Sequence, residues 1–195
     1  MKKIILLLTL CCSIIHLYAQ NDKKNLIGTH VALGIGDYGA FGKKGGGSYD
    51  VKHYYTIGLD YSRQISKRFD FCSGFEYTYS NMTATPHSSV EGYSPKAHLT
   101  MTTIPAQLRY HFGKFVYLNG GLLFNITARM NNIWPTEDKK TNVDLLLGLG
   151  LGVGFKYEFK SGIMLFLNPY VRYNGIGNDY KYAQIGGSFG VGFKF

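Results

Sequence analysis

Few side chains in this 195-residue chain have the types and spacing that covalent catalysis requires. His87, Ser88 and Ser89 lie together in one polar stretch, and His53 borders another. A hydroxyl nucleophile beside an imidazole base is the chemistry of acyl hydrolases and acyltransferases. No spaced motif completes a triad, so we interpret these residues as polar loop residues. We therefore predict no catalytic residue, and we expect that the chain is not an enzyme.

Two glycine-rich stretches superficially resemble phosphate-binding motifs. Gly148, Gly150, Gly152 and Gly154 alternate with bulky residues and no helix follows, which argues against a dinucleotide-binding loop. The stretch 42–48 lacks the residue order of a P-loop and is interpreted as an exposed loop. His, Cys and carboxylate residues show no metal-ligand spacing. The sequence predicts no cofactor and no metal site, and the four glycines are expected to let opposing side chains approach closely.

The elements that must position these residues are β-strands, because apolar and polar residues alternate with a period of two. The last segment ends the chain, with Phe189, Val191, Phe193 and Phe195 on one face. Most segments reach the ~9–11 residues that cross a bilayer as tilted strands, whereas strands of soluble proteins usually have ~5–6 residues. The eight segments are 27–35, 55–62, 69–79, 103–112, 116–126, 144–159, 164–174 and 184–195.

The connections between the segments alternate in length. Tight turns are expected at 66–67, 113–114 and 160–162, and long polar connections at roughly 37–52, 81–98, 129–142 and 175–181. Strict alternation of short turns and long loops is typical of transmembrane barrels, with the turns in the periplasm and the loops outside. The sequence therefore predicts an all-β fold, an eight-stranded antiparallel transmembrane up-and-down β-barrel. A soluble secreted sandwich is the alternative, but it has no reason to place every long loop at one end.

Aromatic residues support the membrane interpretation by their positions. Many lie on apolar faces beside the short turns or the C-terminus, where an interfacial girdle is expected. Tyr55, Tyr77, Tyr79 and Tyr173 are candidates for the opposite belt. The residues of the first group are Phe69, Phe71, Tyr110, Phe112, Phe155, Tyr157, Phe159, Phe193 and Phe195.

The opposite, inward faces carry polar and charged residues of both signs, which can pair inside a narrow barrel. Asp70 and Arg109 are expected at similar heights on neighbouring strands, and Glu76 and Arg172 are expected to meet higher in the lumen. One interpretation is a gated pore or proton path; the favoured one is a network that fills the lumen. The inward set is Asp60, Gln64, Asp70, Glu76, Gln107, Arg109, His111, Asn119, Asn125, Asp144, Lys156, Glu158, Arg172 and Lys194.

The N-terminus has the features of a secretory signal peptide. A basic start at Lys2 precedes an apolar run over 4–15, and Ala19 places a small residue at the expected cleavage site. We predict a cleaved signal peptide over 1–19 and a single barrel domain over 20–195.

The cysteines allow one alternative for the N-terminus. Cys11 and Cys12 raise the possibility of a lipid anchor, but Leu10 is larger than the small residue expected before a lipidated cysteine. After cleavage only Cys72 remains, so no intrachain disulfide is expected. Cys72 is predicted to point inward in an apolar neighbourhood and to be inert.

The net charge of +9 favours anionic lipid headgroups as partners. Lys2 and Lys3 leave with the signal peptide, and the other basic residues are scattered through turns, loops and inward positions. This distribution, in a secreted chain, argues against a nucleic-acid partner.

The chain resembles the small eight-stranded outer-membrane barrels of the OmpA/OmpX type and, more narrowly, the outer membrane protein beta-barrel domain (porT-like) family. The resemblance covers about residues 25–195 and rests on the strand count, the loop alternation, the terminal strand 188–195 and the stretch 168–174. It implies a location in the bacterial outer membrane and recognition of the C-terminal strand by the barrel-assembly machinery. It says almost nothing about activity.

Three functions remain open from the sequence. The first is a structural, adhesive or loop-display role of a monomer, with outer-membrane lipids, lipopolysaccharide, or a surface protein or host ligand as partners. The second is a narrow channel or transport protein. The third is a lipid A-modifying enzyme, for which His87 and Ser88 are the residues to test.

Overall fold

The computed structural model of the chain describes residues 24–40, 48–85, 96–133, 138–142, 147–177 and 180–195. These residues form nine antiparallel strands. In the described part, no helix has the length and apolarity needed to pass through a membrane. The strands are β1 (Asn25–Ala40), β2 (Ser48–Gln64), β3 (Phe69–Thr85), β4 (Lys96–Phe112), β5 (Val116–Ile133), β6 (Asp138–Asn142), β7 (Leu147–Glu158), β8 (Ile163–Asn174) and β9 (Tyr180–Lys194).

The nine strands occupy eight positions in one closed wall. β5 pairs with β7 through residues 116–124 and with the short β6 through residues 129–133, so β6 and β7 share one position. β1 pairs with β9 over its whole length, from Leu26 opposite Lys194 to Ala40 opposite Tyr180. The predicted eight-stranded up-and-down barrel is confirmed, and the first strand pairs with the last, as a closed barrel requires.

The outer surface is apolar and the inside is polar, the reverse of a soluble protein. Large apolar side chains point outward around the wall; Val31 is 53% exposed, Leu59 63% and Leu151 60%. Their neighbours in sequence point inward, so that Glu76 and Asn119 are buried. The predicted assignment of faces is confirmed, and the soluble sandwich is excluded because its apolar faces would be covered.

The three short turns lie at one end of the barrel, called here the short-turn end. They span residues 65–68, 113–115 and 159–162. Gly113 and Gly162 have φ values of 76° and 86°, a conformation that favours glycine. The predicted turns are confirmed.

The predicted bounds of the long connections are wrong, because the strands run further than the apolar pattern. β1 continues to Ala40 and β3 to Thr85, although connections were expected to begin near Asp37 and Asn81. Backbone pairing does not require an apolar face, so strands that project beyond the membrane lose the alternation and keep the hydrogen bonds. The alternation of apolar and polar residues therefore predicted only the part of each strand that has an apolar face.

We predict that an arginine on the outer face destabilises the barrel according to its depth. Leu59→Arg, in the middle of the apolar band, is expected to lower the free energy of unfolding by about 2–4 kcal/mol, whereas a charge near the interface costs about 0–1 kcal/mol. Ile65→Arg is the matched control, since Ile65 is 64% exposed but lies in a short turn. Denaturant unfolding in lipid vesicles measures the free energy of unfolding of both variants. Equal losses would contradict the assignment of the apolar band to the bilayer.

The lumen as candidate functional site

A buried ion pair joins opposite walls in the middle of the lumen. Arg172 of β8 donates two hydrogen bonds to Glu76 of β3, from Nη1 to Oε2 at 2.5 Å and from Nη2 to Oε1 at 2.9 Å. The side chains are 9% and 3% exposed, so both charges depend on this contact. The expected meeting of Glu76 and Arg172 is confirmed, and it ties together strands that are not neighbours in the wall.

His30 connects this ion pair to β1 and β2. Its Nδ1 lies 2.7 Å from Oδ2 of Asp60, and its Nε2 lies 3.6 Å from Oε1 of Glu76. The imidazole is therefore held between two carboxylates. His30 alternates with the outward residue Val31, which is consistent with its inward position, but nothing in the sequence indicated its partners.

Two tyrosines complete the middle of the lumen. The Tyr54 hydroxyl donates to that of Tyr170 at 3.0 Å, and the guanidinium of Arg172 lies 4.3 Å from the centre of the Tyr170 ring. Tyr54 is fully buried, and its hydroxyl occupies the space that a Cβ would need at Gly186. The sequence pattern missed Tyr54, although extending the alternation back from Thr56 would have found it.

A chain of hydrogen bonds closes the lumen toward the long connections. Ser80 and Tyr182 are joined through their hydroxyls at 2.7 Å, and Asn125 Nδ2 donates to Asn174 Oδ1 at 3.1 Å. Gln184 Nε2 donates to the Tyr182 hydroxyl at 3.3 Å, and Gln184 is also bonded to Asn174. Gln184 therefore links the Ser80–Tyr182 pair to the Asn125–Asn174 pair. The chain runs Ser80, Tyr182, Gln184, Asn174, Asn125, Thr103, across β3, β9, β8, β5 and β4.

The short-turn end of the lumen contains a third group of charges. Asp70 and Arg109 are direct cross-strand neighbours, as expected. The Asp70 carboxylate nevertheless bonds His111, with Oδ2 2.7 Å from Nε2, and Arg109 instead lies 4.5 Å above the centre of the Tyr117 ring. The strand register makes Asp70 and Arg109 neighbours, but the side-chain rotamers determine which groups they contact.

The inward glycines allow large side chains to lie against the wall. A Cβ at Gly154 would overlap the Tyr117 ring, and one at Gly152 would come within 2.8 Å of Asn119 Oδ1 and 2.9 Å of Asn168 Oδ1. The predicted role of these glycines is confirmed.

Cys72 is a buried free thiol, as its inward position implied. Its neighbourhood is polar, so the expectation of apolar surroundings was wrong. Ser62 and Gln107 are its cross-strand partners. Arg109 shares a small internal cavity of about 40 Å³ with it. The apolar residues that suggested otherwise all lie on the outer face.

The residues considered for catalysis are not brought together in the described part of the chain. His53 is exposed on the outer half of β2, away from the lumen. Residues 1–23 and 42–47, together with His87, Ser88, Ser89 and Asp144, lie outside the described residues, so the signal peptide and the loop interpretations stay predictions. Among the described residues, no three His, Cys, Asp or Glu side chains are grouped closely enough to hold a metal ion.

Aromatic rings cluster on the outer face at the short-turn end. Tyr110 lies between Phe69 and Phe112, with ring centroids 5.0 and 4.7 Å away. The ring centroids of Tyr157 and Phe159 are 4.9 Å apart. These contacts match the girdle expected at a membrane interface.

A closed antiparallel barrel with an apolar exterior, an aromatic belt and a polar interior is a transmembrane β-barrel of the outer-membrane type. The chain belongs to the family described as "Outer membrane protein beta-barrel domain", whose model matches residues 4–195. The protein is accordingly placed in the bacterial outer membrane, surrounded by its lipids.

Solved structures with the same fold are outer-membrane barrels of low sequence identity. Ail, the attachment invasion locus protein of Yersinia pestis, solved with the heparin analogue sucrose octasulfate, is 13% identical with a TM-score of 0.53, covering 88% of this chain and 99% of Ail. Neisserial surface protein A is 15% identical with a TM-score of 0.50, covering 87% of this chain and 97% of that protein. No curated protein sequence matches the chain.

We predict that Glu76 and Arg172 stabilise the barrel only as a pair. Arg172→Met leaves the Glu76 carboxylate buried without its partner and is expected to cost about 3–5 kcal/mol of unfolding free energy. The double variant with Glu76→Met should recover most of that loss, because no buried charge remains. Denaturant titration of both singles and the double gives the coupling energy.

Glu158→Gln is the control for this measurement. Glu158 pairs with Lys194 at 3.4 Å, but the carboxylate is 40% exposed, so the expected loss is below about 1 kcal/mol. A double variant as unstable as Arg172→Met would contradict the pairing.

Proposed function

We propose that this protein is a closed barrel whose role is structural or adhesive: it displays its four long connections at the cell surface. The observation that carries the proposal is the filled lumen. Tyr54, Tyr182, Gln184 and Asn174 are at most 1% exposed, and they belong to hydrogen-bonded groups that reach from wall to wall. Such an interior stabilises the wall and leaves the loops as the surface available to partners.

The shape of the interior disfavours the narrow-channel alternative. Two cavities that the described residues form inside the lumen are small, about 110 Å³ at the short-turn end and about 40 Å³ in the middle. The hydrogen-bonded chain of Ser80, Tyr182, Gln184 and Asn174 lies between them and the long connections. An ion crossing the barrel would have to break several buried polar contacts at once.

Partners are proposed on the same basis. Within one chain β1 closes on β9, so no second copy is needed to close the wall. We propose that outer-membrane lipids and lipopolysaccharide surround it, that the barrel-assembly machinery recognises the C-terminal strand, and that a surface protein or host ligand binds the loops. Ail, by its name an attachment protein, provides a precedent for attachment on this fold. The proposal includes no catalytic step.

The first prediction concerns conductance. The wild-type protein in planar lipid bilayers is expected to show no steady ion current, because the lumen is filled. A variant with Tyr54→Ser, Tyr170→Ser and Tyr182→Ser should conduct if it folds, and altered gel mobility on boiling checks folding. Steady current through the folded wild-type barrel would contradict the closed interior.

The second prediction concerns the long connections. Replacement of residues 86–95 by a short glycine–serine turn should leave folding intact and reduce the attachment of expressing bacteria to host surfaces or matrix. The matched control lengthens the turn 113–115 at the opposite end of the wall, which should leave attachment unchanged. The same replacement is made in each long connection. If all four variants attach as well as wild type, the display role is wrong.

A further inference from the structure

The short-turn end of the lumen holds a cavity of about 110 Å³ that the proposed display role does not use. In outer-membrane barrels this end faces the periplasm. The volume corresponds to a few water molecules at about 30 Å³ each, so a small tetrahedral ion also fits. The cavity is lined by charged side chains from β3, β4, β7 and β9 and by the adjoining turns.

The lining is predominantly cationic. Five basic side chains, among them Arg109 and Lys156, face the cavity, against the carboxylates of Asp70 and Glu158. Glu158 is engaged by Lys194, and Asp70 by His111. In the described part of the chain, neither Arg109 nor Lys156 has a carboxylate within ion-pair distance. Cations withdrawn from bulk water are stabilised by a nearby anion.

Two buried nitrogen atoms in this lining have no hydrogen-bond partner among the described residues: Nε of Arg109 and Nδ1 of His111. Arg109 Nε is a donor. The other ring nitrogen of His111, Nε2, lies 2.7 Å from Oδ2 of Asp70. The cavity is therefore lined by cationic donors, Arg109 and Lys156, that no described carboxylate engages.

We propose that this cavity is a periplasm-facing binding site for a small tetrahedral oxyanion, with inorganic phosphate as the probe. The oxyanion accepts charge-assisted hydrogen bonds from Arg109 and Lys156. Sulfate has the same shape and accepts the same bonds, so the site recognises the class of anion rather than phosphate alone.

In the described part of the chain, the lumen is filled between this site and the long connections. The cavity shares Arg109 and Ser62 with the smaller cavity in the middle of the lumen, which the Glu76–Arg172 ion pair lines, and the buried Tyr54–Tyr170 pair follows. A phosphate ion entering from the periplasm would thus be bound and released at the same end. This site does not depend on what the external loops bind.

The test is a titration of the full-length folded barrel in uncharged detergent micelles with inorganic phosphate, followed by calorimetry or phosphorus NMR. Wild type should bind inorganic phosphate, and sulfate should compete with it because both anions accept the same hydrogen bonds. Lys156→Gln and Arg109→Gln should each weaken phosphate binding about tenfold or more, the loss of one charge-assisted bond.

Lys160→Gln is the matched control, because Lys160 is exposed in a short turn and does not line the cavity. It should bind phosphate as wild type does. If the Arg109 variant fails to fold, Lys156→Gln carries the test alone. The proposal is overturned if wild type does not bind phosphate, or if Lys160→Gln weakens binding as much as Lys156→Gln.

Discussion

The contact on which the structure depends is the pairing of β1 with β9. Inside a bilayer no water satisfies exposed N–H and C=O groups, so a sheet can cross only when its two edges meet. Here the closure extends to the C-terminal residue, since Asn25 and Phe195 exchange backbone hydrogen bonds of 3.0 and 2.8 Å. Without this pairing the sheet would not enclose a lumen. The apolar band would then not face lipid on one side only, and the charges would not be buried.

Closure with eight strand positions makes a lumen narrow enough for side chains to fill it. Large residues then require small ones opposite: the Tyr117 ring lies where Gly154 has no Cβ, and the Tyr54 hydroxyl lies against Gly186. Polar groups in this interior must be paired, and the described ones pair mostly with groups on other strands, some neighbouring and some on the opposite wall. The contacts of Arg172 with Glu76 and of Tyr182 with Ser80 therefore hold the wall together from within as the backbone does around its circumference.

The two halves of the lumen differ in a way that bears on function. Toward the cell exterior, neutral tyrosine, asparagine and glutamine side chains satisfy one another and leave little exposed polar surface. Toward the periplasm, cationic groups outnumber carboxylates around a cavity. Membership of the outer-membrane barrel family defines the location of the protein, whereas this polarity along the barrel axis belongs to the individual residues of this chain.

The sequence by itself determined the fold, because a strand has a period of two and a membrane barrel shows it on every strand. It also predicted the short turns, the inward glycines and the Glu76–Arg172 contact. It did not determine where polar strands end, as at Thr85, or which partner each charge takes, as for Asp70. Those depend on rotamers and on strands far apart in the chain, and only closure of the barrel brings such groups together. The cavity beside Arg109 arises in the same way, from side chains of several strands that leave space between them.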